Sequence, residues 1–292
     1  MIVQPNLLRF QTLHKIAAAV DRSQAFSALL NEIDQIPENR VYGRVAAVLG
    51  MIVEVAGAPQ SLSVGDRCLV GARNGRDVMC EVIGFRDGRA LAMPFDTLEG
   101  IGPGCRAEIL PSQSVVRPDA GWLGRVINAM GEPIDGHGPL SDGGIACPLR
   151  ASPPPAHMRD MVKDKIDLGV RAVNTFITCC RGQRMGIFAG SGVGKSVLMS
   201  MLARYTQADV NVIGLIGERG REVKEFIYES LGDEGLARTV LVVATSDESP
   251  LMRRQAAWQT LAIAEYFRDQ GNDVLCMIDS ITRFAMAQRE IG

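Results

Sequence analysis

The stretch Ala189-Gly190-Ser191-Gly192-Val193-Gly194-Lys195-Ser196 decides the reading of this chain. The apolar run Arg184 to Phe188 precedes it and predicts a short strand, and Lys195 to Arg204 predicts a helix. A glycine-rich turn between strand and helix that ends in Lys-Ser is the context in which a phosphate-binding loop is specific. Glycines let the backbone curl until several N–H groups point into one concavity. The helix N-terminus adds positive potential. Lys195 then reaches the β- and γ-phosphates of a nucleotide, and the Ser196 hydroxyl ligates Mg²⁺. The residues expected around the nucleotide are Gly190, Ser191, Gly192, Val193, Gly194, Lys195, Ser196 and Val197. The pattern departs in one place, where Ala189 stands instead of glycine. The Lys-Ser ending excludes a dinucleotide fingerprint.

Downstream, strands and helices alternate. Val210 to Ile216, Thr239 to Ala244 and Val274 to Ile278 read as buried strands, and Glu222 to Leu231 as a helix. Ser249-Pro250 opens another helix, with serine as N-cap and proline in the first turn. Such alternation calls for a parallel sheet. Ligands bind such a sheet at the carboxyl edge. Two carboxylates fall there. Asp279 ends the strand from Val274 and is the second Mg²⁺ ligand expected beside a phosphate loop. Glu218 follows the strand from Val210 through Gly217 and is the candidate to activate water. Its neighbours Arg219 and Arg221 leave an alternative open, in which Glu218 only pairs with an arginine.

Upstream, the period changes. Between Asn39 and Leu110, six short β-rich runs are separated by turns such as Gly65-Asp66, Asn74-Gly75 and Asp87-Gly88. This spacing predicts a small sandwich or barrel. The segment before it reads as helix, with Leu13, Ile16 and Val20 on one face. It either packs on its own protein or offers an amphipathic face to a partner. A turn-rich connector, including Pro153-Pro154-Pro155, links barrel to α/β part and is expected along the surface. The expected division is 1–36 (helical, partner-binding), 37–113 (β-barrel) and 114–292 (nucleotide-binding).

Composition sets the outer limits. Net charge is −2, so no bulk attraction to nucleic acid or anionic membrane is evident. No apolar run reaches the roughly 18 residues of a membrane-spanning helix. Seven cysteines, an odd count without C-x-x-C pairs, predict buried thiols in a reducing compartment rather than a disulfide framework or zinc site.

Four stretches together carry a family resemblance: Gly186 to Ser196, Ile216 to Val223, Ala244 to Arg253, and Asp279 to Ala285. They resemble flagellar and type III protein-export ATPases, relatives of the rotary ATP synthase β subunit. The resemblance runs from about residue 30 to the end. It implies an N-terminal barrel followed by an α/β RecA-like P-loop ATPase core, working as a homohexamer with ATP/ADP and Mg²⁺ at subunit interfaces. It implies Lys195 on phosphate, Ser196 and Asp279 on the metal, Glu218 on water, and Arg219 near the γ-phosphate. Glutamate at 218 marks a hydrolysing subunit, since a non-catalytic rotary subunit would carry glutamine. A regulatory stator protein on residues 1–33, an export gate, and exported flagellar substrates or chaperones are the implied partners, with no nucleic acid. The implied location is cytoplasmic, peripheral at the inner face of the cytoplasmic membrane. The family continues beyond the point matched by Gly292, so a C-terminally truncated chain with weak activity is expected. Competing functions are a proton-coupled rotary subunit, an RNA translocase on the same ring fold, and a binding module. The barrel shows Tyr42 and Phe85 but no basic and aromatic cluster of the kind an RNA motor uses.

Overall fold

A computed structural model describes residues 40–57, 59–110, 114–159, 161–190 and 192–292. The helical, partner-binding expectation for 1–36 and the nucleotide contact expected of Ser191 lie outside them. Everything from Gly43 on belongs to one compact unit.

Six strands form a closed barrel: β1 (Tyr42–Leu49), β2 (Ile52–Ala56), β3 (Arg67–Gly71), β4 (Asp77–Arg86), β5 (Arg89–Pro94) and β6 (Arg106–Ile109), in the order β1-β2-β5-β4-β3-β6. Closure comes from Val45 N–H donating to Cys105 O at 2.8 Å and Gly104 N–H donating to Val45 O at 2.8 Å. So narrow a barrel must be filled with small side chains. Val53, Cys68, Val70, Cys80, Ala90 and Ala92 point inward and are wholly buried. The sequence left sandwich and barrel open; the outcome is a barrel.

The connector does more than run along the surface. Val115–Val116 (β7) pairs with Cys147–Pro148 (β9), and Val126–Asn128 (β8) joins the main sheet. That sheet has the order β12-β10-β11-β8, with β10 (Val210–Glu218), β11 (Thr239–Thr245) and β12 (Val274–Asp279) all parallel. Alternate residues feed opposite faces, as a pleat of period two requires. Val212, Ile216, Val240 and Val242 face one core, while Ile213, Leu215, Leu241 and Val243 face the other.

Helices cover both faces. In chain order they are α1 (Arg171–Phe176), α2 (Lys195–Tyr205), α3 (Gly220–Glu225), α4 (Gly232–Ala237), α5 (Pro250–Asp269) and α6 (Ile281–Ile291). Met199 and Leu202 of α2 pack on one side, and Ile263 and Phe267 of α5 on the other. α5 comes so close to β10 that a Cβ on Gly214 would sit 2.5 Å from Thr260 Oγ1. Only glycine permits that approach.

Three expectations are corrected. No strand forms at 184–188. A strand exists only through a ladder partner, and among the described residues none lies beside this run; Phe188 is left 97 % exposed. The helix expected from Glu222 to Leu231 begins at Gly220 and passes into a π-helical turn, Phe226–Leu231, before α4. The thiols are all free, but only four are buried: Cys147 and Cys180 are partly exposed and Cys276 is exposed. Cys276 lies on β12, which has a neighbour on one side only within the described sheet.

Barrel and α/β part meet at the start of α5. Met93 and Phe95 pack on Leu251. Arg254 Nη2 lies 2.5 Å from Glu81 Oε1, and both side chains are 5 % exposed. The Arg254 guanidinium also lies 4.4 Å from the ring centroid of Trp258. A buried pair adds little over an apolar substitute, but removing one partner strands the other charge. Arg254→Ala should therefore lower stability by about 3–5 kcal/mol. Denaturant unfolding followed by tryptophan fluorescence measures this; a loss under about 1 kcal/mol would mean water reaches Glu81 freely.

Candidate functional site

Three groups from separate stretches of sequence meet at the carboxyl edge of the sheet. The first comes from the glycine-rich loop. Gly192 has φ +76° and Gly194, the N-cap of α2, has φ +93°, the left-handed region that favours glycine. Gly190, Gly192, Val193, Gly194, Ser196 and Val197 are exposed, so the loop and the first turn of α2 face solvent. The N–H groups of that first turn have no partner within the helix.

Lys195 turns back from α2 and ion-pairs through Nζ with Asp279 Oδ1. Asp279 is 5 % exposed, so an uncompensated charge there would be costly. Ser280 follows it as N-cap of α6, its hydroxyl accepting from Arg283 N–H at 3.4 Å.

The third group is Glu218. The register between β10 and β11 shifts at Gly217, whose φ is +73°. That bulge re-aims the strand end, as bulges beside sites commonly do. Gly217 is also tight against Arg283, whose Cβ would lie 2.9 Å from an added Cβ. Ser246 N–H donates to Glu218 O at 2.9 Å and holds the strand end. The Glu218 carboxyl is raised to about 7, first by burial, then by the hydrogen-bonded Glu222 carboxyl, then by the Asp279 charge; Lys195 opposes the shift. Glu218, Asp279 and Lys195 thus sense each other electrostatically. A carboxylate poised near neutrality is suited to take a proton from water.

The arginine alternative for Glu218 is not what forms. Arg219 is paired with Glu222 at 3.8 Å and Arg221 with Glu225 at 2.7 Å, and both arginines are exposed. Arg219 thus faces solvent and pairs with Glu222 rather than with Glu218. Glu222 is the participant that sequence reasoning overlooked. Glu218 ends β10 while Glu222 lies in α3, so no helical periodicity links the two in the sequence.

Among the described residues there is no cluster of three or more metal-ligating side chains. Mg²⁺ takes one or two protein oxygens and completes its shell with phosphate oxygens and water. Ser196 and Asp279 provide hard oxygen donors of that kind.

This fold and site define a P-loop nucleotide-binding protein of the α/β class. Residues 39–110 match the β-barrel domain of the ATP synthase alpha/beta family, and residues 169–292 match that family's nucleotide-binding domain. A flagellum-specific ATP synthase of Caulobacter vibrioides is 58 % identical over 265 residues, covering 91 % of this chain and 60 % of that protein. A type 3 secretion system ATPase of Xanthomonas euvesicatoria is 47 % identical, covering 91 % and 60 %. The assembled ATPase EscN, solved in complex with its central stalk EscO from the enteropathogenic E. coli type III secretion system, superposes with a TM-score of 0.77 at 37 % identity, covering 86 % of this chain and 60 % of that one. The chain belongs to the family of flagellum-specific ATP synthases and type III secretion ATPases, built on ATP synthase alpha/beta domains. It spans about 60 % of the length of the curated relatives it matches.

Proposed function

We propose that this chain binds MgATP at the 189–196 loop and hydrolyses it, as a subunit of a hexameric ring that energises export of flagellar or type III proteins. The observation that carries the reading is the meeting of Lys195, Asp279 and Glu218 at one sheet edge. Lys195 and the loop N–H groups bind the terminal phosphates. Ser196 and Asp279 hold Mg²⁺, which when bound offsets charge on the phosphate oxygens. Lys195 exchanges Asp279 for phosphate as nucleotide enters. Glu218 accepts the proton of the attacking water, and Arg219 is placed to approach the γ-phosphate. Val193 and Val197 are exposed beside the loop and line the nucleotide's path. Among the described residues, no helix is long and apolar enough to cross a membrane. The proposed location is the cytoplasm, peripheral at the membrane's inner face.

The test is ATP turnover by the intact protein with and without Mg²⁺, measured beside its sedimentation. Turnover that depends on Mg²⁺ and rises as the ring assembles is expected, because neighbouring subunits complete such sites by adding an arginine, worth about 10³ to 10⁵ in rate. Turnover indifferent to Mg²⁺, or a monomer as active as the ring, would sink the reading.

Residues 1–33 are proposed to bind a regulatory stator protein. Deleting them should leave Mg²⁺-dependent turnover within about threefold while removing stator capture, since grafted partner elements contribute little to the core that bears them. Retained capture in a pull-down defeats this assignment.

A further inference from the structure

The barrel reaches the site by a route that the hydrolytic machinery does not need for its own chemistry. Beside the packing of Met93 and Phe95 on Leu251, one of its contacts is a hydrogen bond. Ser249 Oγ donates to Phe95 O at 2.9 Å, at the end of β5. Phe95 is itself tied into the barrel, its N–H donating to Met79 O at 2.9 Å. The same Ser249 oxygen accepts from Met252 N–H at 3.3 Å and caps α5. One hydroxyl therefore fixes the helix start to the barrel.

From Ser249 back to the sheet, the chain is braced rather than loose. Glu248 N–H donates to Thr245 O at 3.2 Å, and Glu248 Oε1 accepts from Thr245 N–H at 2.9 Å and from Thr245 Oγ1 at 3.3 Å. The turn is closed in both directions between Thr245 and Glu248, and Ser249 follows it directly in the chain. The next residue after Thr245 holds the site: Ser246 N–H donates to Glu218 O. Arg254, one turn further along α5, adds the second tie to the barrel through Glu81. Beside it the connector, not the barrel, also touches α5, where Arg150 stacks 4.1 Å from the Trp258 centroid.

We propose that the barrel positions Glu218 through this braced link, with Ser249 and Glu248 as positioning residues for the carboxylate that activates water. The inference rests on the base role given to Glu218 above. Its physical content is that Glu218 sits at a bulged strand end, paired past the register shift only with Thr245, the first residue of the braced turn. The Ser246 N–H supplies a further restraint, and the barrel supplies the restraint on Ser246. Lys195, Ser196 and Asp279 lie on α2 and β12 and take no support from this link. Loosening it should therefore slow hydrolysis and spare nucleotide binding. A misplacement of about 1 Å is enough to cost up to 10² in rate.

The test is a set of substitutions in the intact protein. Ser249→Asp keeps the N-cap, because aspartate caps as well as serine. It loses the bond to Phe95 O, because an ionised carboxylate only accepts. Ser249→Thr keeps both bonds. Glu248→Ala opens the turn without touching the barrel. For Ser249→Asp and Glu248→Ala, turnover is expected to fall by about tenfold, with the ATP dissociation constant unchanged within about twofold. Ser249→Thr is expected to turn over like the wild type. The double variant should be no slower than the slower single, since both break one path. Wild-type turnover in Ser249→Asp overturns the proposal. So does an equal loss of affinity and turnover, or a Thr variant as slow as the Asp variant. Glu218→Gln in the same assay separates the two ideas. If it is slow while Ser249→Asp is normal, only the positioning link is wrong; if it too is normal, the base role itself fails.

Discussion

Lys195→Ala is expected to weaken MgATP binding by at least about tenfold to a hundredfold, the range set by losing charge-assisted hydrogen bonds of roughly 1.5–3 kcal/mol. The ammonium is the one side-chain cation of the glycine-rich loop, and the loop's remaining donors, backbone N–H groups and serine hydroxyls, are neutral. The substitution also acts before nucleotide arrives. Asp279 is buried, and Lys195 is its ion-pair partner. Without it the carboxylate repels the phosphates it should approach. Both effects push in one direction, which is why this is among the largest changes the site can undergo. Calorimetric titration of MgATP measures it. Wild-type affinity in the variant would show that the loop does not bind phosphate through Lys195.

Glu218→Gln should leave MgATP affinity nearly intact and slow turnover by roughly 10² to 10⁴, the usual contribution of a positioned general base. The amide keeps the shape of the side chain and loses its capacity to take a proton. The pH dependence follows with a definite sign. Glu218 ionises near 7, and only the ionised form is a base. In the wild type, kcat/KM should fall about tenfold per pH unit below about 7, since this parameter reports groups of the free enzyme. Glutamine does not titrate, so the acid limb should vanish along with the rate. Steady-state turnover between pH 5 and 9 tests both parts at once. An acid limb that survives in the variant would assign the titration to another group.

Much of this could be read from residues alone, for identifiable reasons. The phosphate loop, the parallel sheet and both edge carboxylates are local signals: a Gly-rich turn, apolar runs, and an acid at a strand end. The Ser249-Pro250 helix start was legible for the same reason, and Ser249 does cap α5. What escaped depends on contacts far apart in sequence. Val126–Asn128 is too short to show a period, and becomes a strand only because β11 lies beside it. Arg184 to Phe188 has the composition of a strand and no ladder partner within the described sheet. Glu81 and Arg254 are distant in sequence, and nothing near either one announces the pair. At Glu218 the sequence offered two fates, base or arginine partner. Of these, the arginine pairing is not what forms, since Arg219 and Arg221 pair with Glu222 and Glu225.

The central claim is that binding and bond cleavage are divided between two parts of one site, Lys195 with Asp279 for the first and Glu218 for the second. A single-turnover quench on ATP already bound to the intact Glu218→Gln protein tests it most directly. The account predicts that bound ATP stays uncleaved, with cleavage roughly 10² to 10⁴ slower than in the wild type. Cleavage of bound ATP at the wild-type rate would contradict it.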